Sequence, residues 1–331
     1  MRALTYSRYG PPEVLRLSVV PQPVPKDDDV LVRVHAAEAT KADCELRGFT
    51  FSVQWFWLPL RLALGITRPR RQILGGYFAG EIAALGRNVT TFAVGDEVFG
   101  TSGLRFGAYG EYVALPASST IAAKPGNMTF AEAAAVPLGG LNALHFMRLA
   151  KIHPGARVLI NGAGGSIGLH AVQIAKAMGA HVTAVDHTRK EQLVRRFGAD
   201  HFVDYTTETF AGRGQTYDVI FDMVPGSSYA ACIAALTPHG RYLCGNPRLS
   251  VLLRAPLTTR FTSKTATCAF ARESREELMA LAQMVEEGTI RSIVDRVLPM
   301  EEAPDAHRLV ETEQRQGAIV IAIGDEPPAR P

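Results

Sequence analysis

Apolar and polar positions fall into two patterns along the chain. Leu15, Leu17 and Val19 alternate with polar neighbours, and Val30, Val32 and Val34 alternate with Leu31, Arg33 and His35, with three prolines and the Asp27 to Asp29 run between the two spans. Period two bounded by such stops reads as β-strands, and further short strands are expected at 78–85, 97–99 and 109–115. From Thr129 the pattern turns helical and alanine-rich, then alternates. Strands are expected at 157–161, 181–185, 201–205, 218–223, 241–246 and 265–270, and helices at 167–178, 189–197 and 227–236. Strand and helix in alternation build a doubly wound parallel sheet. After a last helix at 275–287, segments 293–298 and 318–323 read as β again. The expected organisation is therefore α/β, with a β domain from residues 1–124 and 272–331, a doubly wound domain from 125–271, and the active site in the cleft between them.

Within the second pattern one stretch carries chemistry. Val158-Leu159-Ile160-Asn161 breaks into Gly162-Ala163-Gly164-Gly165-Ser166-Ile167-Gly168, and the chain resumes at helical spacing through Ala171, Ile174, Ala175 and Met178. Glycines at a strand-to-helix turn let a dinucleotide pyrophosphate reach bare backbone N–H groups and a helix N-terminus. The strict G-x-G-x-x-G form is absent, because Ile167 stands where its last glycine belongs. Context supplies what the glycines lack: the next strand ends at Asp186, eighteen residues past Gly168, where a ribose-binding acid is expected. Thr188, Arg189 and Lys190 follow at once and suit the 2′-phosphate of NADPH, whereas Asp186 suits the ribose of NADH. A carboxylate ~4 Å from a phosphate charge costs roughly 4 kcal/mol at an effective dielectric of ~20, so Asp186 must turn away for NADPH to bind well.

Composition removes several classes of function. A length of 331 residues suits two domains, and a net charge of +3 with intermixed signs gives no polybasic face for nucleic acid. Cys44, Cys232, Cys244 and Cys268 form no C-x-x-C pair, which argues against a thiolate zinc cluster or a disulfide framework. The N-terminus shows no signal-peptide core, so a cytoplasmic, reducing location is expected. The apolar stretch 51–66 is broken by Gln54, Pro59 and Arg61 and falls short of the ~20 residues of a membrane span. Its aromatics Phe49, Phe51, Trp55, Phe56 and Trp57, followed by Arg68, Arg70 and Arg71, read as a folded insertion over a cleft or as an interfacial helix.

The chain resembles the medium-chain dehydrogenase/reductase superfamily, in its zinc-free quinone-oxidoreductase-like branch. The resemblance runs nearly the whole length, through Ile73-Leu74-Gly75-Gly76-Tyr77-Phe78-Ala79-Gly80, Val94-Gly95-Asp96-Glu97-Val98-Phe99-Gly100, Gly107-Ala108-Tyr109-Gly110-Glu111-Tyr112, Ala135-Val136-Pro137-Leu138-Gly139-Gly140-Leu141-Asn142, the glycine turn, and Gly198-Ala199-Asp200-His201. It implies a GroES-like β-barrel domain beside a Rossmann domain, and hydride transfer from NAD(P)H to a quinone or an α,β-unsaturated carbonyl. Zinc-dependent members carry ligands where this chain has Thr40, Gly76 with Tyr77, and Gly139 or its neighbour, so no zinc is expected.

By matching position, Thr40, Lys41 and Asp43 lie on the cleft floor and Asn142 contacts the nicotinamide. The branch usually has Asn-Pro in place of Thr40-Lys41 and a tyrosine near Phe49. Lys190 matches a phosphate-binding lysine and Tyr205 an adenine-side contact, which leans the cofactor toward NADPH over NADH. Gly162, Gly164, Gly165, Ser166, Ile167, Gly168, Asp186, Thr188, Arg189, Gly245, Asn246 and Phe270 complete the cofactor-binding set. Asp43 alternatively only braces its loop, Lys41 and the Arg189-Lys190 pair are alternatively solvated surface residues, and Tyr77 and Tyr109 read mainly as barrel packing. A homodimer through the edge strand at 265–270 is implied. A crystallin-like protein that binds nucleotide with little turnover is the alternative, and a metal-dependent alcohol dehydrogenase lacks its ligands.

Overall fold

Strand Asp29–Ala39 is the spine of the first domain. It pairs antiparallel with Tyr77–Leu85, Tyr112–Pro116 and Ala318–Ala322, and its Val30, Val32 and Val34 enter one core with Phe78, Val98, Tyr109, Ile319 and Ile321. The computed structural model describes residues 1–51, 57–211, 214–313 and 315–324. Among these, the first domain holds a seven-stranded sheet in the order Val294–Pro299, Ala318–Ala322, Asp29–Ala39, Tyr77–Leu85, Glu97–Thr101, Ile121–Ala123, with Tyr112–Pro116 joined to the spine. The late strand Ala318–Ala322 thus pairs directly with a spine laid down near the start of the chain.

The second domain is a six-stranded parallel sheet in the order His201–Asp204, His181–Asp186, Arg157–Asn161, Tyr217–Asp222, Leu236–Cys244, Thr265–Cys268. Numbered within the domain this is 3-2-1-4-5-6, the dinucleotide-binding order. Its strands are buried on both faces, Val158 and Ile160 against one helical layer and Leu159 against the other. Helix Arg275–Glu286 then packs Leu278, Leu281 and Val285 into the same core as helix Val136–Ala150.

Several boundaries differ from expectation, among them the strand expected at 109–115, which is Tyr112–Pro116, and the one expected at 265–270, which is Thr265–Cys268; two further ones differ for local reasons. The helix expected at 189–197 splits into a 3-10 turn, Thr188–Lys190, and a helix, Glu191–Arg196, because the His187 ring accepts from Arg189 N at 3.1 Å and caps the first turn. Strand Leu236–Cys244 starts well before position 241, since Leu236 pairs with Tyr217 instead of ending the preceding helix, Tyr229–Ala234.

The aromatic insertion folds onto its own domain. Helix Trp57–Leu64 places the Arg61 guanidinium 4.1 Å from the Phe49 ring and 4.6 Å from the Tyr9 ring, and the Tyr9 hydroxyl donates to Gly65 O at 2.9 Å. Gln54, Trp55 and Phe56 lie outside the described residues.

Candidate active site

The glycine turn follows the central strand Arg157–Asn161 and opens directly into helix Ser166–Ala177. Gly162 adopts φ +85°, a left-handed conformation that glycine enters freely. A side chain at Gly168 would meet Gly162 O at 2.2 Å, so this glycine lets the helix close on the turn. Gly165 is different. A Cβ there meets only Gly162 O, at 3.6 Å, and otherwise faces open space. Gly165 caps the helix without any side-chain acceptor, and the buried Ser166 hydroxyl has no hydrogen-bond partner. Unfilled donors, open space and a helix N-terminus together fit an anion such as the diphosphate of a dinucleotide.

The far corner of the turn is charged. Gly164 N donates to Asp186 Oδ2 at 2.7 Å, His187 N donates to Asp186 Oδ1 at 2.8 Å, and Lys190 Nζ stands 3.8 Å from Oδ1. The Lys190 stem lies across Gly164, where a Cβ would sit 2.4 Å from Lys190 Cδ. Tyr205 is exposed beside His187, with ring centroids 6.2 Å apart, and Thr188 and Arg189 lie in the 3-10 turn between Asp186 and Lys190. The predicted set from Gly162 to Tyr205 therefore gathers at the carboxyl ends of adjacent strands, where open α/β sheets bind ligands. Gly245 and Asn246 extend this row: Asn246 Nδ2 donates to Met223 O at 3.3 Å, and Gly245 packs against Met223, which also borders Gly162. Phe270 stands exposed at the sheet edge.

Across the cleft, Thr40 caps helix Lys41–Gly48 in a reciprocal box with Asp43: Thr40 Oγ1 accepts from Asp43 N, and Thr40 N and Oγ1 donate to Asp43 Oδ2 at 3.1 and 2.5 Å. Asp43 Oδ1 accepts from Gly75 N at 3.1 Å, which ties this helix to the Gly75-Gly76 turn. Burial pushes the Asp43 carboxyl up, and bonds from Thr40, Gly75 and Tyr109 oppose the shift. Lys41 pairs with Glu313 at the surface. The Asn142 amide donates to Leu138 O at 2.9 Å within its own helix.

Three features escape the sequence pattern. The first is Glu38, fully buried with neither carboxylate oxygen hydrogen-bonded. A bulge between Val34 and Ala36 reverses the alternation of strand Asp29–Ala39, so Ala36 joins the core shared with the second domain while Ala37 and Ala39 stay in the barrel core. Glu38, in step with Ala36, turns the same way. It pairs in register with Val320 and, one step beyond the Ala37–Phe78 pair, faces Tyr77. Burial pushes its pKa up to about 8, with Arg315 opposing and Asp43 adding to the rise. A neutral acid at pH 7 results.

The second feature is Tyr77 itself, whose hydroxyl donates to Glu273 Oε1 at 2.7 Å, tying strand Tyr77–Leu85 to the segment just before helix Arg275–Glu286; burial and the facing Glu273 push this phenol well up. The third is a buried chain behind Asp43. Arg47 lies 3.1 Å from His307 Nδ1, and a guanidinium only donates, so the ring proton sits on Nε2, which donates to the Tyr109 hydroxyl at 3.1 Å; Tyr109 in turn bonds Asp43. Burial, with Arg47 adding to it, holds His307 down at about 3, so this ring stays neutral.

Comparison with known proteins agrees with this geometry. Residues 26–125 match the alcohol dehydrogenase GroES-like domain, 132–233 the alanine dehydrogenase/PNT C-terminal domain, and 197–321 the zinc-binding dehydrogenase family. The mitochondrial NAD(P)H oxidoreductase RTN4IP1 of Mus musculus is 30% identical over 98% of this chain and 89% of its own. The chain belongs to the medium-chain dehydrogenase/reductase superfamily, in its quinone-oxidoreductase-like branch. Within that superfamily, the 2-methylene-furan-3-one reductase of Solanum lycopersicum is 28% identical, covering 97% of this chain and 79% of its own. The structure of the quinone oxidoreductase from Coxiella burnetii superposes with a TM-score of 0.86 at 28% identity, covering 98% of this chain and 99% of the other. This medium-chain dehydrogenase/reductase is thus an oxidoreductase of a family that binds a nicotinamide cofactor. Among its described residues, no group of three or more His, Cys, Asp or Glu side chains is placed to hold a metal ion, and no helix is long and apolar enough to cross a membrane.

Proposed function

We propose that this chain is an NAD(P)H-dependent reductase of quinones and α,β-unsaturated carbonyls that prefers NADPH and works without zinc. The observation that carries the reading is the glycine turn, with its unpartnered Ser166 hydroxyl, uncapped helix N-terminus and open space at Gly165. The named relatives support the acceptor class: one acts on a quinone, another on an exocyclic enone. Such acceptors are already activated and need no Lewis acid, and Thr40, Gly76 and Gly139 offer no thiolate or imidazole to hold one.

A bound nicotinamide would supply the hydride. Gly162 to Gly168 would hold its diphosphate through backbone N–H groups; Lys190 and Tyr205, with Thr188 and Arg189, would receive the 2′-phosphate and adenine; Asn142, Gly245, Asn246 and Phe270 would line the nicotinamide end. On the substrate side, the Thr40–Asp43 box fixes the cleft floor, with the Lys41–Glu313 pair beside it. Glu38 holds a proton in reserve on the face it shares with Tyr77. We take residues 1–124 with 272–331 and residues 125–271 as the two domains that meet there, with helix Arg275–Glu286 of the first packing back on the second.

We also propose a homodimer in a reducing, cytoplasmic compartment. Helix Leu249–Phe261 exposes Leu249, Leu253, Leu257 and Phe261 at four-residue intervals and packs on the edge strand Thr265–Cys268. That stripe, beside an unpaired strand edge, suits a second copy of the chain. Leu253→Asp with Leu257→Asp should yield a monomer by sedimentation. The activity itself is tested by following NADPH oxidation with a quinone, an enone and a simple aldehyde. Saturable oxidation with the first two supports the reading; tight NADPH binding without acceptor-dependent turnover supports a purely nucleotide-binding role.

A further inference from the structure

Cys244 and Cys268 are register partners on the parallel strands Leu236–Cys244 and Thr265–Cys268. Neighbouring strands run about 4.8 Å apart with registered side chains on one face, inside the ~4.4–6.8 Å range of Cα separations that a disulfide bridges. Each thiol is the other's strongest influence: contact with Cys268, with burial behind it, pushes Cys244 up, and contact with Cys244 draws Cys268 down against burial. Both are free, Cys244 buried and Cys268 partly open. Cys44 lies in the barrel core and Cys232 in the same core as the pair, each buried and pushed up mainly by that burial.

The place of the pair gives it a consequence. Each cysteine ends its strand, and the next residues are Gly245-Asn246 and Ala269-Phe270, with Ala269 N donating to Cys244 O at 3.2 Å. Gly245 has no spare room, since a Cβ there would lie 2.6 Å from Met223 Sδ and 3.3 Å from the Phe146 ring. A disulfide holds its Cβ atoms ~3.8 Å apart, so closing one draws the two strand ends together by about 1 Å and moves Gly245 with them.

We propose that Cys244 and Cys268 form a redox-responsive dithiol, oxidised by low-molecular-weight disulfides, whose disulfide state weakens nicotinamide cofactor binding. The Cys268 thiolate attacks one sulfur of the small disulfide, forming a mixed disulfide and releasing one small thiolate. The Cys244 thiol then loses its proton and attacks Cys268 Sγ, expelling the second small thiolate. Two protein thiols are oxidised and one small disulfide is reduced to two thiols. The effect on cofactor rests on the functional reading above, in which Gly245 and Asn246 face the nicotinamide; the disulfide itself does not.

The test incubates the full-length protein with oxidised glutathione, then reads intact mass, linked peptides after alkylation, and NADPH affinity by fluorescence titration. The expected result is a loss of two hydrogens, a Cys244–Cys268 linked peptide with Cys44 and Cys232 unmodified, reversal by dithiothreitol, and severalfold weaker NADPH binding in the oxidised form. Cys244→Ser should keep a lasting glutathione adduct on Cys268, and Cys268→Ser should abolish both the bond and the affinity change. Thiols that stay reduced in the native protein, or a wild-type adduct on Cys268 that Cys244 never resolves, would overturn the proposal. Equal NADPH affinity in the two redox states would overturn it as well. Reduced protein that binds no nicotinamide cofactor overturns the cofactor reading instead, while the mass measurement still decides the disulfide.

Discussion

Lys190 Nζ stands 3.8 Å from Asp186 Oδ1, and both oxygens of that carboxylate already accept backbone N–H groups, from Gly164 and His187. In the sequence these two residues compete over the adenosine ribose. In the structure they are partners, the acid turned onto the glycine turn and the lysine laid over it. A phosphate arriving at this corner meets Lys190 beside an acid that is paired and only slightly exposed.

Lys190→Ala should therefore weaken NADPH binding about ten- to a hundredfold, the loss of one charge-assisted hydrogen bond of roughly 1.5–3 kcal/mol, and leave NADH nearly unchanged. Isothermal titration with both cofactors reads the difference. Comparable losses for the two would place Lys190 in general support of the turn.

The glycines of the turn should separate binding from folding. Gly165→Val projects into open space where the diphosphate is proposed to lie, and should abolish cofactor binding with a melting temperature near wild type. Gly168→Ala drives a Cβ to 2.2 Å from Gly162 O and should lower the melting temperature whether or not cofactor is present. Unchanged affinity in Gly165→Val would show that the phosphates sit elsewhere.

Glu38 makes stability depend on pH with a definite sign. Its folded pKa is raised, from 4.5 to about 8, so the folded state keeps a proton that the unfolded state releases across that window. Its contribution is fully present below pH 4.5 and is lost as pH rises toward 8, by up to about 1.4 kcal/mol per pH unit. Glu38→Gln removes the titration. Urea unfolding of the two proteins should show the variant gaining on wild type from pH 5 to 8, and a constant difference would mean Glu38 is ionised in the fold.

What was legible in the sequence was local. The strand, glycine turn, helix and Asp186 follow one another within thirty residues, and each leaves its own pattern of apolar spacing, glycine or charge, so the second domain and the corner where its glycine turn meets Asp186 could be read directly. Glu38 shows the limit. Strict alternation places it on the same face as Val32 and Val34, whereas the bulge after Val34 turns it away from them, and the strand that buries its other side, Ala318–Ala322, returns from the far end of the chain. Asp43 was an open choice between brace and catalyst, because its partners Gly75 and Tyr109 are distant in sequence. The fold of the aromatic insertion was equally hidden, since it depends on Arg61 reaching back to Tyr9.

We propose that hydride passes from NADPH to an activated acceptor without zinc. Protein dialysed against chelator and shown metal-free by elemental analysis should transfer deuterium from the reduced nicotinamide carbon of labelled NADPH to the β-carbon of an enone, one label per turnover, at an undiminished rate. A one-to-one zinc content that resists dialysis, or turnover that returns only when zinc is restored, would contradict it.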